Sequence, residues 1–375
     1  MSSPVAAWQR SLAAALRQVS LGRERPRAGD DESRAGAAHA AETRSLSNRI
    51  GAVLAASLAC GLILAPPTAR AEPSPEEVVN AFEAVIGPIR THRPSHAKGI
   101  CAAGHFVATP EGTRLSVAPT FSGQRIAATI RFGIGGGNPN ASDTARLTRG
   151  LSVRFESPAG DMWDMANISA PIFGAPTPQV LVEGLLVRRP DPATGQPNAD
   201  RVAAFVAANP ATTRQAAWLA ANNPSASWAT TPYWGVNAFR FKGQDGEVRH
   251  ARWVFEPRAG TQRLTAEQMA SMPASFLADE LRRRTAAAPV EFDLVLQFPG
   301  PGDNLIDPTI VWPEDRPRAV VGRLTVTEIA PGPGGACDPI SFMTLDQAPG
   351  VEFSDDPTLH ARTAPYAVSL SRRLP

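Results

Sequence analysis

Between residues 105 and 166 the chain uses one device five times: a short run alternating apolar and polar residues, cut off by Gly, Pro, Asn or Asp. A period of two belongs to a strand with one buried face, and those four residue types supply the turns. The runs are 105–109, 114–118, 127–132, 151–156 and 162–166, and four more follow at 238–242, 249–256, 292–297 and 323–329. Strands this short and closely spaced pair with their neighbours in an antiparallel sheet or barrel. The 36 prolines and 30 glycines are spread along the chain without a repeat. That argues against a helical bundle, a solenoid or a propeller.

Helices are interposed. Ser74-Pro75-Glu76-Glu77 opens one, with a capping serine, a proline in the first turn and early carboxylates, and Gly87-Pro88 stops it. Residues 178–186, 200–208, 211–223 and 265–284 read as helices, and a last one is expected to hold Arg362 and Tyr366. The expected fold class is α+β, an antiparallel β-barrel core with surrounding helices.

Residues 1–48 read as an extension, with a short amphipathic helix near its start as the alternative. Arg44 and Arg49 then precede an apolar stretch, 50–65, followed by Pro66-Pro67-Thr68-Ala69-Arg70-Ala71. That order is a secretory signal with cleavage after Ala71. The stretch is short for a span of ~20 residues, and an uncleaved anchor is the alternative. On this reading residues 1–71 are extension and signal, residues 72–375 form the mature domain, and the location is periplasmic. Any membrane contact would pass through the N-terminal segment if it stays uncleaved. The long stretch before the signal hints at a start later than Met1.

A formal net charge of +2 with no basic stripe gives no reason to expect nucleic acid. Cys60, Cys101 and Cys337 lack metal-site spacing. Cys101 and Cys337 could pair in an oxidising compartment, but nothing in the sequence requires it. His92, His105, His250 and His360 read as structural or solvated. Residues 135–137 make a glycine turn, not a phosphate loop, since no G-K-[ST] follows.

Arg362 stands four residues before Tyr366 in a chain with only two tyrosines. On a helix the two share a face. The pair reads either as a surface contact or as a phenolate held by a positive charge. A phenolate is one of the few protein ligands of haem iron. Other blocks carry polar chemistry: Arg93-Pro94-Ser95-His96-Ala97-Lys98-Gly99, Ile130-Arg131-Phe132-Gly133, Ser142 to Gly150 with Asp143, Arg146 and Arg149, Trp163-Asp164-Met165 leading to Pro171-Ile172-Phe173, and Val311-Trp312-Pro313.

In this order the blocks resemble the haem catalases, from about Gly87 to Arg373. The chain is shorter than typical catalases, and so is similar to the minimal catalase-related peroxidases, whose secreted bacterial members are often described as periplasmic. The resemblance implies a catalase-like fold and haem b with its iron as cofactor. It implies Tyr366 as the iron ligand, Arg362 as the arginine keeping it ionised, and His96 as the distal acid–base residue. It implies Arg93, Arg131 and Arg373 as partners of the haem propionates, and Phe173 in the segment at the haem edge. Peroxide is the implied substrate, with a small organic molecule as external electron donor.

Two departures from the family pattern bear on activity. Ile168 and Ser169 stand where catalases place an asparagine pair, with Asn167 just before. Gly133 stands where a serine usually hydrogen-bonds the distal histidine. Both favour peroxidase over rapid disproportionation, with weak catalase activity left over. A haem hydroperoxide isomerase or dehydrase, and a non-catalytic periplasmic haem-binding protein, are the alternatives.

Overall fold

The computed structural model describes residues 71–88, 91–332, 334–342 and 348–373. The extension and signal expected before Ala71, and Cys60 with them, lie outside the described residues.

Helix α1, Pro75–Ile86, begins in a complete capping box: Ser74 Oγ accepts from Glu77 N, and the Glu77 carboxylate accepts from Ser74 N. Strand β1, Gly99–Ala108, runs into a short helix α2, Pro110–Leu115. Strands β2 (Arg125–Ile134), β3 (Arg149–Glu156) and β4 (Met162–Ile168) follow as a meander. Three helices then cross outside the sheet: α3 (Pro178–Val187), α4 (Ala199–Ala208) and α5 (Thr213–Ala221). Strands β5 (Tyr233–Lys242) and β6 (Val248–Pro257), helices α6 (Ala266–Ser271) and α7 (Leu277–Ala287), and strands β7 (Val290–Gln297) and β8 (Arg318–Ile329) complete the barrel. A short strand β9 (Val351–Phe353), helix α8 (Pro357–His360) and helix α9 (Thr363–Arg373) end the described chain.

The strand order is β4-β3-β2-β1-β8-β7-β6-β5, and an Ile168–Trp234 pairing between β4 and β5 closes the ring. Closure removes the unpaired edges that an open sheet exposes. The architecture is the expected one, an eight-stranded antiparallel barrel with helices around it. The interior takes one parity of each strand: Ile100, Ala102 and Phe106; Ile130 and Phe132; Leu151, Val153 and Phe155; Trp163 and Met165. Phe106, Phe155, Trp163 and Trp253 meet in tilted and edge-to-face contacts that fill it. The opposite parity faces out, and on β2, β3 and β4 it becomes the wall of a cavity.

Three sequence expectations are corrected. Residues 114–118 are not a strand: Thr109 Oγ1 accepts from Gly112 N, and Pro110 occupies the first turn, so α2 forms there instead. The expected helix 265–284 is two helices, broken beside Pro273, which cannot donate to the turn before it. Arg362 lies one residue before α9 rather than within it, although Tyr366 N still donates to Arg362 O at 3.2 Å, so the i,i+4 spacing survives.

Candidate active site

Outside the barrel wall lies a cavity of about 250 Å³, far above the ~10–15 Å³ that one water needs on the same measure. The expected residues Arg93, His96, Arg131, Phe173, Arg362, Tyr366 and Arg373 all line it.

On one side, Arg362 Nη2 donates to the Tyr366 phenol oxygen at 2.6 Å and Nε at 3.3 Å. Two donors converging on one oxygen fix where it sits. Arg362 is braced from behind: its Nη1 donates to Asn237 Oδ1 at 3.4 Å, and Asn237 Nδ2 donates to Asp356 Oδ2 at 2.7 Å and Thr358 Oγ1 at 2.9 Å. Asn237 sits where the register of β5 against β6 slips, between Gly235 and Phe239. Burial pushes the Asp356 carboxyl above its ordinary range.

On another side His96 holds φ +53°, a left-handed conformation uncommon outside glycine. Neighbours fix it there. Ala97 N donates to Gly136 O, Arg131 Nη2 donates to Ala97 O, and Ile134 N donates to Lys98 O. Lys98 is pinned by Asp143 at 2.7 Å, Ala141 O at 2.8 Å and Ser275 Oγ at 2.9 Å. Burial, and then the charges of Arg131, Arg93 and Arg362, push the His96 imidazolium down to about 4. His96 is therefore neutral at pH 7 and free to accept a proton.

The wall beneath the histidine is a single cross-strand row. Gly133 pairs with Gly150, Gly150 with Ile168, and Ile168 with Trp234. All four line the cavity. Asn167 borders it, but its amide is committed: Nδ2 donates to Leu151 O at 2.9 Å, and Oδ1 accepts from Trp253 Nε1 at 2.5 Å. Ser169 Oγ accepts from Arg149 N. No carboxamide is free to reach the histidine among the described lining residues.

Arg93, Arg131 and Arg373 form the third feature. Burial lowers Arg93 to about 10, and burial together with the charge of neighbouring arginines lowers Arg131 and Arg373 to about 9. Arg373 Nε is buried without a partner. The one carboxylate that acts on all three, Asp338, accepts from Gly335 N in its own turn. A cationic cluster at the wall of a cavity, with one buried donor left unpaired, suits an anionic ligand with more than one carboxylate. An apolar share of the lining, with Val78, Val79, Phe82, Leu181, Trp234 and Phe342, suits a flat hydrophobic body. Together with the phenol and the histidine, these residues fit a haem.

The sequence reading missed several of these contributors. The spacing of Val78, Val79 and Phe82 on α1 marked an apolar face that could have been read. Asn237 and the glycine row carried no local signal. Cys101 and Cys337, left open above, form a disulfide with Cα atoms 5.4 Å apart. His105 meets Arg125 and His360 meets Ser354 O, away from the cavity.

A family model described as "Catalase" matches residues 89–375. The catalase-related peroxidase of Synechococcus elongatus is 42% identical over 300 residues, covering 80% of this chain and 88% of that protein. The catalase-related peroxidase of Mycolicibacterium paratuberculosis is 34% identical over 307 residues, covering 80% and 95%. A crystal structure of a fungal catalase superposes with a TM-score of 0.68 at 23% identity, over 76% of this chain and 60% of that one, a likeness of fold.

Proposed function

The chain belongs to the catalase family, and from that premise we propose that it is a haem b peroxidase that reduces hydrogen peroxide or organic peroxides with an external organic electron donor. The observation that carries this reading is the row Gly133–Gly150–Ile168: beside His96 it offers no polar side chain. A first peroxide needs one proton acceptor and donor, which His96 supplies. A second peroxide, oxidised to oxygen, needs to be held and oriented as well.

When bound, the haem supplies the reversible redox chemistry and an open coordination position for peroxide. Tyr366 is the proposed iron ligand, its phenol oxygen oriented by the two Arg362 donors. Arg93, Arg131 and Arg373, which line the cavity, would take the propionates, and Phe173 would pack at the haem edge. His96 Nδ1 lies against Gly150, which leaves Nε2 as the nitrogen to take the proton of the proximal peroxide oxygen and pass it to the departing one. Holding both steps on one neutral imidazole is general acid–base catalysis of the ordinary kind.

Residues 72–375 are proposed to be one haem-binding domain, and residues 1–71 an extension and signal cleaved on export to the periplasm. The Cys101–Cys337 disulfide supports an oxidising compartment.

The test joins a spectrum to a product assay. Purified protein reconstituted with haem should give a high-spin ferric, tyrosinate-type spectrum, and should oxidise a phenolic donor faster than it evolves oxygen from peroxide. Oxygen evolution at catalase-like rates without a donor refutes the peroxidase reading. Conversion of an organic hydroperoxide to a rearranged product, with no donor consumed, supports the isomerase or dehydrase alternative.

A further inference from the structure

The disulfide stands at the border of the arginine cluster. Cys101 on β1 pairs directly with Arg131 on β2. Paired residues in adjacent antiparallel strands hold their side chains side by side on one face. Cys101 therefore shares the outer face of the barrel with the innermost guanidinium of the cluster.

Its partner, Cys337, lies in a stretch that runs from Gly334 to Phe342 outside any strand. The carbonyls of that stretch serve the other two arginines. Arg93 Nη2 donates to Cys337 O at 3.1 Å and Ile340 O at 2.8 Å. Arg373 Nη1 donates to Asp338 O at 2.5 Å and Nη2 to Ile340 O at 3.1 Å. A turn closed by Asp338 N to Gly335 O and by Ile340 N to Cys337 O aligns these oxygens as a shelf.

Few ties hold the shelf to the barrel. Among the described residues they are the disulfide, the bond from Cys337 N to Cys101 Sγ, and the packing of Ile340, Phe342 and Ala330 on the cysteine pair; one further bond, from Ser341 Oγ to Tyr366 O, reaches α9 instead. The remaining ties are the arginine bonds themselves, made by guanidiniums of like charge.

We infer that Cys101 and Cys337 are positioning residues for the carboxylate-binding arginines: the disulfide fixes the carbonyl shelf against the strand that carries Arg131, and so sets the three guanidiniums in one arrangement before the haem propionates arrive. Preorganised donors bind an anion more tightly than donors that must first be ordered. This inference rests on the haem reading above.

The test is haem release, not turnover. Holoprotein, the C101S/C337S double variant and wild-type holoprotein reduced in the folded state with a phosphine are each mixed with excess apomyoglobin, and the Soret change is followed. Thiol mapping by mass spectrometry confirms reduction at Cys101 and Cys337. The reduced arm serves if the double variant folds poorly. Release should quicken by at least about tenfold without the disulfide, the cost of weakening one charge-assisted hydrogen bond. With haem dimethyl ester, which has no carboxylates, the oxidised and reduced proteins should release at the same rate. Equal release of ordinary haem with and without the disulfide overturns the inference. So does an equal acceleration with the ester, since the disulfide would then act on general stability. A wild-type protein that takes up no haem overturns the haem reading itself and this inference with it.

Discussion

A Cβ built on Gly150 would stand 2.6 Å from His96 Nδ1, so the imidazole rests on bare backbone. Glycine is required here by close approach, not by its own backbone angles. Gly150→Ala should therefore displace the ring while leaving the barrel intact, because the added methyl points out of the core. Misplacing a catalytic group by about 1 Å costs roughly 10²-fold. Stopped-flow mixing with peroxide should show that loss, with the Soret band of the resting protein little changed. An unaltered rate would mean that His96 is not held by this wall.

His96 sets the acid limit. Its folded pKa is depressed to about 4 from an ordinary 6.5. Between those values the unfolded chain binds a proton that the folded chain does not. Stability contributed by the neutral ring is thus present above about 6.5 and lost as pH falls through about 4. Peroxide cleavage should stay flat from neutral pH down to about 5 and fall with a midpoint near 4. His96→Ala should lower the cleavage rate by roughly 10²–10⁴ and abolish that limb. A midpoint near 6.5 in the wild-type profile would contradict the enclosed, cation-flanked histidine.

The phenol side answers to charge. Arg362→Gln removes both guanidinium donors from Tyr366. Loss of even one charge-assisted bond costs about 1.5–3 kcal/mol, so haem affinity should fall by at least about tenfold. Absorption and resonance Raman spectra should show a weakened iron–phenolate bond. Asn237→Leu acts through one long bond of 3.4 Å, and its effect should be smaller but of the same sign. Equal spectra for Arg362→Gln and wild type would return the Arg362–Tyr366 pair to a simple surface contact.

What the sequence disclosed depended on distance along the chain. The period-two runs marked eight of the nine strands among the described residues, because alternation is a local property. Arg362 and Tyr366 were legible because four residues set their geometry. The misread run 114–118 had its answer in Thr109 and Pro110, a cap and a first-turn proline just upstream. The row Gly133–Gly150–Ile168–Trp234 could not be read, since each neighbour is fixed by register between strands. Asn237 and Asp356 meet across 119 residues, and Cys101 and Cys337 across 236. Motif order along the chain pointed to the family, while the supporting contacts awaited the fold.

The same row predicts how activity could be redirected. Ile168 lies opposite Gly150, and its side chain shares the outward face on which His96 rests. Ile168→Asn puts a carboxamide beside the imidazole, while Asn167 keeps its own amide on Leu151 and Trp253. One well-placed hydrogen bond contributes about 1 kcal/mol net, and more if the partner is charged. Donor-free oxygen evolution should rise by roughly fivefold to tenfold, that energy expressed as a rate, with the first peroxide cleavage little changed. Gly133→Ser should not help in the same way. A Cβ at Gly133 would lie 2.7 Å from Arg131 Nη1, so the new hydroxyl would first have to push aside a guanidinium assigned to a propionate. Its expected outcome is weaker haem retention without added oxygen evolution. An oxygen electrode and a haem-release assay on the two variants separate the effects. If Gly133→Ser raised oxygen output and Ile168→Asn did not, the polar gap would lie on β2 and not at Ile168.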